Sequence, residues 1–288
     1  MVVQQIISGL AVGCVYGLIA LGFVLIFKTT EVINFAQGEM MMIGAFIAFT
    51  LITIFKVPFV LAFLLTPIIC GGIGILLERV LIRPLVGEPI VSIIIVTIGL
   101  SITLRAFAGM IWSYDTFDFP HVFSEEAIKI SSIVVSPIDI WIILVSLGLV
   151  TLLFLFFKFT TLGISLQASA QNPLASLLMG ISVKRVYSTT WAISAMVGAV
   201  AGIIIVPITF LSANMGFLGL KAFPAAVIGG FNSIPGALVG GVIIGVSENL
   251  AGIYLPPWFK DIFAYVVMMA VLMIRPEGIF GTHEQKKV

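Results

Sequence analysis

Apolar runs about as long as a bilayer is thick recur along this chain, and they limit what it can fold into. The candidate spans are 6–27, 35–55, 57–77, 91–111, 137–157 and 188–210, followed by a long glycine-rich stretch at 222–254 and a shorter run at 262–274. A helix needs roughly 20 mostly apolar residues to cross a membrane, so the chain carries about eight hydrophobic segments. Of its 288 residues only 9% are charged, against about a quarter in a soluble domain. That leaves too little polar surface to coat a fold in water. Alternating strand patterns are absent, and lipid tolerates only helices or closed barrels. The expected fold is all-α: a polytopic membrane helix bundle, one domain over 1–288, with some segments discontinuous or re-entrant.

The charges that remain set an expected orientation. Segment 112–136 holds Asp115, Asp118, Glu125 and Glu126 against Lys129 alone, whereas 158–187 holds Lys158, Lys184 and Arg185 and no acid. Segment 78–90 carries Arg79 and Arg83, and the tail carries Arg275, Lys286 and Lys287. By the positive-inside rule the last three face the cytoplasm and the acidic segment faces out. Counting back from there puts the N-terminus outside. No basic residue precedes Lys28 and no small-residue cleavage site follows, so the first run is expected to be a retained span rather than a signal peptide. Cys14 and Cys70 lie within apolar runs and are expected to be packing residues. A net charge of +1 argues against nucleic acid as a partner.

Two places break the apolar pattern. One is Asn34-Phe-Ala-Gln-Gly-Glu39; the other is Gly229-Gly-Phe-Asn-Ser-Ile-Pro-Gly236. The piece 222–229 would reach only about 12 Å as a helix, so it is expected to be a re-entrant half-helix followed by a break at depth. The two places echo one another, with Asn34 four residues before Gly38 and Asn232 four before Gly236. Each is followed by a span and an Ile-Arg-Pro, at 82–84 and 274–276. Broken segments at matching positions of two halves point to a substrate path between repeats.

The stretch 162–180 is the most informative polar region. Asn172 suits an N-cap, Pro173 the first helical position and Gly180 a left-handed stop. They delimit a short helix, 173–179, with Leu174, Leu177 and Leu178 on one face. Either this face packs under the chain's own spans, or it is a docking site for a partner protein, as exposed apolar patches usually are.

The sequence also says what the chain lacks. There is no G-x-x-x-x-G-K-[ST] phosphate loop, so any drive by ATP requires a second subunit. No cofactor or metal is expected. A proton- or sodium-coupled carrier would want carboxylates at depth, and only Glu39 and Glu248 qualify. With His121 and His283 in connecting segments, and no H-E-x-x-H or G-x-S-x-G motif, nothing supports catalysis.

Several stretches, in order and spacing, carry a resemblance. They are Tyr16-Gly-Leu-Ile-Ala-Leu-Gly22, Val32-Ile-Asn-Phe-Ala-Gln-Gly-Glu39, Glu78-Arg-Val-Leu-Ile-Arg-Pro-Leu85, Thr97-Ile-Gly-Leu-Ser101, Leu178-Met-Gly-Ile181, Gly219-Leu-Lys-Ala-Phe-Pro-Ala-Ala226, Gly229 to Gly236, and Arg275-Pro-Glu-Gly-Ile-Phe-Gly281. Over nearly its whole length the chain resembles permease subunits of branched-chain amino acid ABC importers, the LivH and LivM proteins, and more the shorter H-type. The resemblance implies a second, M-type permease as partner, two cytoplasmic ATP-binding subunits and a periplasmic solute-binding protein. It also makes 158–187 similar to the family's cytoplasmic coupling loop. At Gln37 the chain departs from the many members that carry histidine there. Relatives that carry urea, short amides and other small solutes keep the substrate open.

The residues themselves then divide as follows. Asn34, Gln37 and Glu39 either line a translocation path or cap and orient a helix start, where a carboxylate is stabilised anyway. Gly229, Gly230, Asn232, Pro235 and Gly236 either gate that path or serve close helix packing. Asn172, Pro173, Leu174, Leu177, Leu178, Met179 and Gly180 form the candidate docking loop for the ATPase. Arg105 and Glu248 are expected to pair, because buried charges usually find partners. Trp112, Trp141 and Trp258 are expected to be interfacial anchors. The function that fits is a transport subunit, not an enzyme, moving leucine, isoleucine or valine across a bacterial inner membrane by alternating access. The alternatives are a secondary carrier or channel for a small polar solute such as urea or a short amide, and a membrane scaffold.

Overall fold

A computed structural model describes residues 2–120, 128–130 and 133–281. His121, Glu125, Glu126, His283, Lys286 and Lys287, and the side chains of Lys129 and Trp258, lie outside the described residues. The helices are α1 (Val2–Thr30), α2 (Gln37–Thr53), α3 (Phe59–Leu77), α4 (Ile90–Trp112), α5 (Pro137–Phe159), α6 (Thr161–Gln171), α7 (Pro173–Leu178), α8 (Val183–Thr209), α9 (Leu218–Gly229), α10 (Ile234–Tyr254) and α11 (Pro257–Ile274). Six helices among the described residues are long and apolar enough to cross a membrane, with shorter apolar helices at Gln37–Thr53, Met215–Gly229 and Ile262–Ile274. A small hairpin, β1 (Ile128–Ile130) with β2 (Ile133–Val135), departs from the expectation of no strands. It lies in the acidic connection, outside the apolar runs.

Contacts between helix ends sort the bundle into two faces. At one, the Ser8 hydroxyl near the start of α1 donates to Asp139 at the start of α5. Trp112 at the end of α4 donates to Thr50 near the end of α2, and Phe117 pairs with Leu211 just past α8. At the other face, Phe27 of α1 meets Phe231 before α10. There, too, the end of α3 meets the start of α8, and the tail after α11 bonds to the end of α9. Residues 113–120 and 133–136 therefore lie at one end, and 78–90, 160–182 and 275–281 at the other.

α1 runs through the centre and is the most deeply packed span. It is apolar all round, as a helix with protein on every side should be. Gly9, Gly13 and Gly17, one turn apart, cross antiparallel against Gly245, Gly241 and Leu238 of α10. A Cβ on Gly13 would lie 2.8 Å from Val242 Cα, so the backbones touch in the small-residue manner usual in membranes. The crossing of α3 with α8 is also antiparallel, with Gly74 on Trp191 and Gly71 on Met196.

These two crossings are equivalent under an inverted repeat. α1, α2, α3 and α4 correspond to α8, α9, α10 and α11, each running the opposite way through the bundle. α2 and α9 are the shorter members: each starts inside the bundle, one after the return 31–36 and the other after 210–217. The break matching 31–36 is therefore 210–217, not 229–236 as the Asn-Gly echo implied. Residues 230–233 are a turn between α9 and α10 at the end of the bundle, beside the C-terminal tail. They do not lie at depth, because α9 starts at Leu218 and its 12 residues reach about 18 Å to that end.

Candidate functional site

The two returns meet at the centre, and glycine makes the meeting possible. A Cβ on Gly38 would lie 2.9 Å from Gly219 Cα, and one on Gly219 would lie 2.5 Å from Gly38 Cα. Only bare backbone fits on either side. Around this contact sit Asn34, Gln37 and Glu39, all buried.

Asn34 holds the turn itself: its Oδ1 accepts from the Ala36 amide at 3.1 Å, and its Nδ2 reaches Met40 Sδ at 3.4 Å. Gln37 is wedged between α1 and α8, its Nε2 donating to the Ser194 carbonyl at 3.3 Å. Its Oε1 accepts from the Ser194 hydroxyl at 2.9 Å. Gly22 and Gly198 leave the space for this amide, since a Cβ on Gly198 would come within 3.2 Å of Nε2. Glu39 in the first turn of α2 forms an ion pair with Arg105 of α4. The Arg105 guanidinium lies 3.8 Å from the centroid of the Phe217 ring, so the second return covers the pair formed by the first.

The expected pairing of Arg105 with Glu248 is therefore wrong. Arg105 is taken by Glu39, and Glu248 of α10 faces Lys221 of α9 at 3.6 Å. Counting from the aromatic residues at the span ends places Arg105 and Glu248 equally deep, but it is Glu39, on a helix beside α4, that meets Arg105.

The second group of path candidates is elsewhere. Gly229 and Gly236 pack backbone to backbone across the α9–α10 hairpin, where a Cβ on Gly229 would lie 2.8 Å from the Ala237 nitrogen. Gly230 has φ +93° and sits against Gly281 and Glu277. Pro235 opens α10 with Ser233 as its cap, the hydroxyl accepting from the Gly236 amide, and Asn232 lies in the turn. The Ile279 and Phe280 amides donate to the Ile228 and Gly229 carbonyls, which would otherwise be orphaned at the end of α9. This cluster closes the end of the bundle, away from the central contact that gathers Asn34, Gln37 and Glu39.

The expected short helix is present as α7. The Asn172 side chain caps it, accepting from the Ala175 amide at 2.9 Å, Pro173 opens it, and Gly180 follows with φ +82°. Leu174, Leu177, Leu178 and Met179 are 57–83% exposed. Sequence reasoning did not anticipate α6, which Thr160 caps by accepting from the Gly163 amide. Cys14 and Cys70 are free and buried, as expected of packing residues. Trp112 stacks on Phe46 at 4.9 Å, and Trp141 meets Phe63 edge to face.

Comparison with known proteins now bears on these features. The family described as "Branched-chain amino acid transport system / permease component" matches residues 5–272. The chain is 35% identical to the high-affinity branched-chain amino acid transport system permease protein BraD of Pseudomonas aeruginosa, over 99% of this chain and 97% of BraD. It is 33% identical to the corresponding LivH protein of Salmonella typhimurium, over the same shares. No solved structure matches it. The chain belongs to the branched-chain amino acid transport permease family, and so is a transport subunit of the ABC type with no catalytic role of its own.

Proposed function

We propose that this permease carries leucine, isoleucine or valine across a bacterial inner membrane, its C-terminus in the cytoplasm, as one of two permeases driven by two ATP-binding subunits. A periplasmic solute-binding protein delivers the ligand. The observation that carries this reading is α7: a capped helix whose leucines and Met179 face outward at the end of the bundle with the basic connections. A soluble surface would not leave them wet, so a partner protein covers them. ATP binding by that partner moves α7 and tilts the spans around the central contact. Because α2 and α9 leave this contact toward opposite ends, a path interrupted there opens to one side at a time.

The same geometry supports an ATP-driven importer over a carrier. A coupled carrier needs a carboxylate at depth free to take up its ion, whereas Glu39 and Glu248 each face a base. Asn34, Gln37 and Glu39 are engaged by protein groups, which suits a path whose selectivity is supplied by the binding protein. The test is uptake of radiolabelled leucine into vesicles containing the chain co-expressed with its neighbouring genes, using Leu177→Asp as control. ATP-dependent uptake that the substitution abolishes supports the assignment. Uptake by the chain alone, indifferent to ATP and to the substitution, overturns it in favour of a carrier.

A further inference from the structure

One buried ionic cluster stands apart from the central contact. α3 does not end cleanly: Glu78–Ile82 forms a single turn of π-helix, and Arg83–Leu85 a turn of 3-10 helix. Such turns inside helices recur at functional positions. They bring Arg83 back onto Glu78, which is wholly buried. The guanidinium binds both carboxylate oxygens, Nε to Oε1 at 3.1 Å and a terminal nitrogen to Oε2 at 2.8 Å, in the strong bidentate geometry.

The pair does not close on itself. The Ser188 hydroxyl donates to Glu78 Oε2 at 2.6 Å and accepts from Arg83 at 2.7 Å, and Arg83 also reaches the Lys184 carbonyl at 3.5 Å. Ser188 and Lys184 belong to the first turns of α8, which starts five residues after α7 ends. Beyond the cluster, α3 and α8 stay in contact through the Gly74 and Trp191 backbones, then through Gly71 and the Met196 side chain. On the other side the chain runs through Pro89 into α4, the helix whose Arg105 holds Glu39 at the centre.

We propose that Glu78, Arg83 and Ser188 form a clamp that transmits movement of α7 to the α3–α4 hairpin and thence to the central contact. This rests on the docking reading of α7. The clamp residues are positioning residues: they touch neither solute nor nucleotide, and act by making α3 follow α8. A cluster serving only to hold the fold would, when broken, remove active complexes without changing what each surviving complex does. A clamp would leave nucleotide turnover running while solute movement fell behind.

The readout is therefore leucine transported per ATP hydrolysed, measured with the complete complex and its binding protein in vesicles. Glu78→Gln, Arg83→Gln and Ser188→Ala are each compared with the natural chain. The ratio should fall about tenfold for Glu78→Gln and Arg83→Gln, within the range usual for coupling between sites. The Glu78→Gln, Arg83→Gln double variant should be no worse than either single, because one unit is broken once. Ser188→Ala leaves the ion pair standing and removes the shorter of its links to α8, the Lys184 carbonyl remaining. It should therefore lower the ratio even if the other variants fail to accumulate. Uptake and hydrolysis falling in proportion, or a Ser188→Ala ratio equal to that of the natural chain, overturns the clamp alone. Uptake by the natural complex that ignores ATP overturns the docking reading and the clamp together.

Discussion

The two returns that meet at the centre are built by opposite means. The first, 31–36 leading into α2, is held by side chains: Asn34 on its own turn, Gln37 on Ser194 of α8, and Glu39 on Arg105 of α4. The second, 210–217 leading into α9, is held largely by the lack of them. Gly216 and Gly219 let its backbone press against α2, and Phe217 contributes a ring face to Arg105. A buried polar group specifies position because leaving it unpaired is costly, whereas glycine specifies only closeness. At the centre one half of the repeat is thus held by side-chain bonds and the other by bare backbone contact. The Phe117–Leu211 backbone bridge fixes the start of the second return.

This contrast can be broken at several points. The largest effect is expected from Gly219→Leu, which drives a side chain into the Gly38 backbone. Overpacking costs about 1–3 kcal/mol where side chains can yield, and backbone cannot, so the variant should fail to accumulate as a monodisperse protein on size exclusion. Next is the ion pair. Glu39→Gln or Arg105→Met alone should lower unfolding stability in detergent by about 3 kcal/mol, because each strands a buried charge. Their double variant should cost less than the sum of the two. Equal additive losses would show that the first return is not organised by this pair.

Gln37→Leu comes third, at about 1–3 kcal/mol, the usual cost of leaving a buried partner such as the Ser194 hydroxyl unsatisfied. If Met215→Ala on the second return costs as much in the same assay, the contrast between side-chain and backbone anchoring fails. The smallest effect on stability belongs to Leu177→Asp on α7, within about 0.5 kcal/mol as for other exposed positions. That variant should nonetheless lose ATP-driven uptake, separating the docking end from the centre.

Sequence reasoning reached some of these features and missed others for physical reasons. Spans were legible because their length is fixed by the membrane, and α7 because Asn172, Pro173 and Gly180 each have a local backbone preference. The second return was not legible. Residues 205–213 are as apolar as the helix before them, and no charge marks the point where α8 stops. The available signal was Asn214 with Gly216 and Gly219, a closer counterpart to Asn34 and Gly38 than the Asn232–Gly236 turn. The close crossing at Gly9, Gly13 and Gly17 was not anticipated, and their one-turn spacing carries nothing about the partner helix. Arg105 was misassigned because helix neighbours are chosen by the packing of the whole bundle, and spacing along the chain carries no information about that choice.

The C-terminal tail has a consequence for how the molecule is made. The last carbonyls of α9 are satisfied by amides of Ile279 and Phe280, about fifty residues later in the chain. While those residues are still inside the ribosome, α9 is a short apolar helix with an open end, already delivered to the bilayer but not sealed. The second half of the repeat therefore reaches its final form only after synthesis has passed residue 280. Chains cut short just before that point should be recognised as unfinished by the membrane's quality control, although every one of their spans is present.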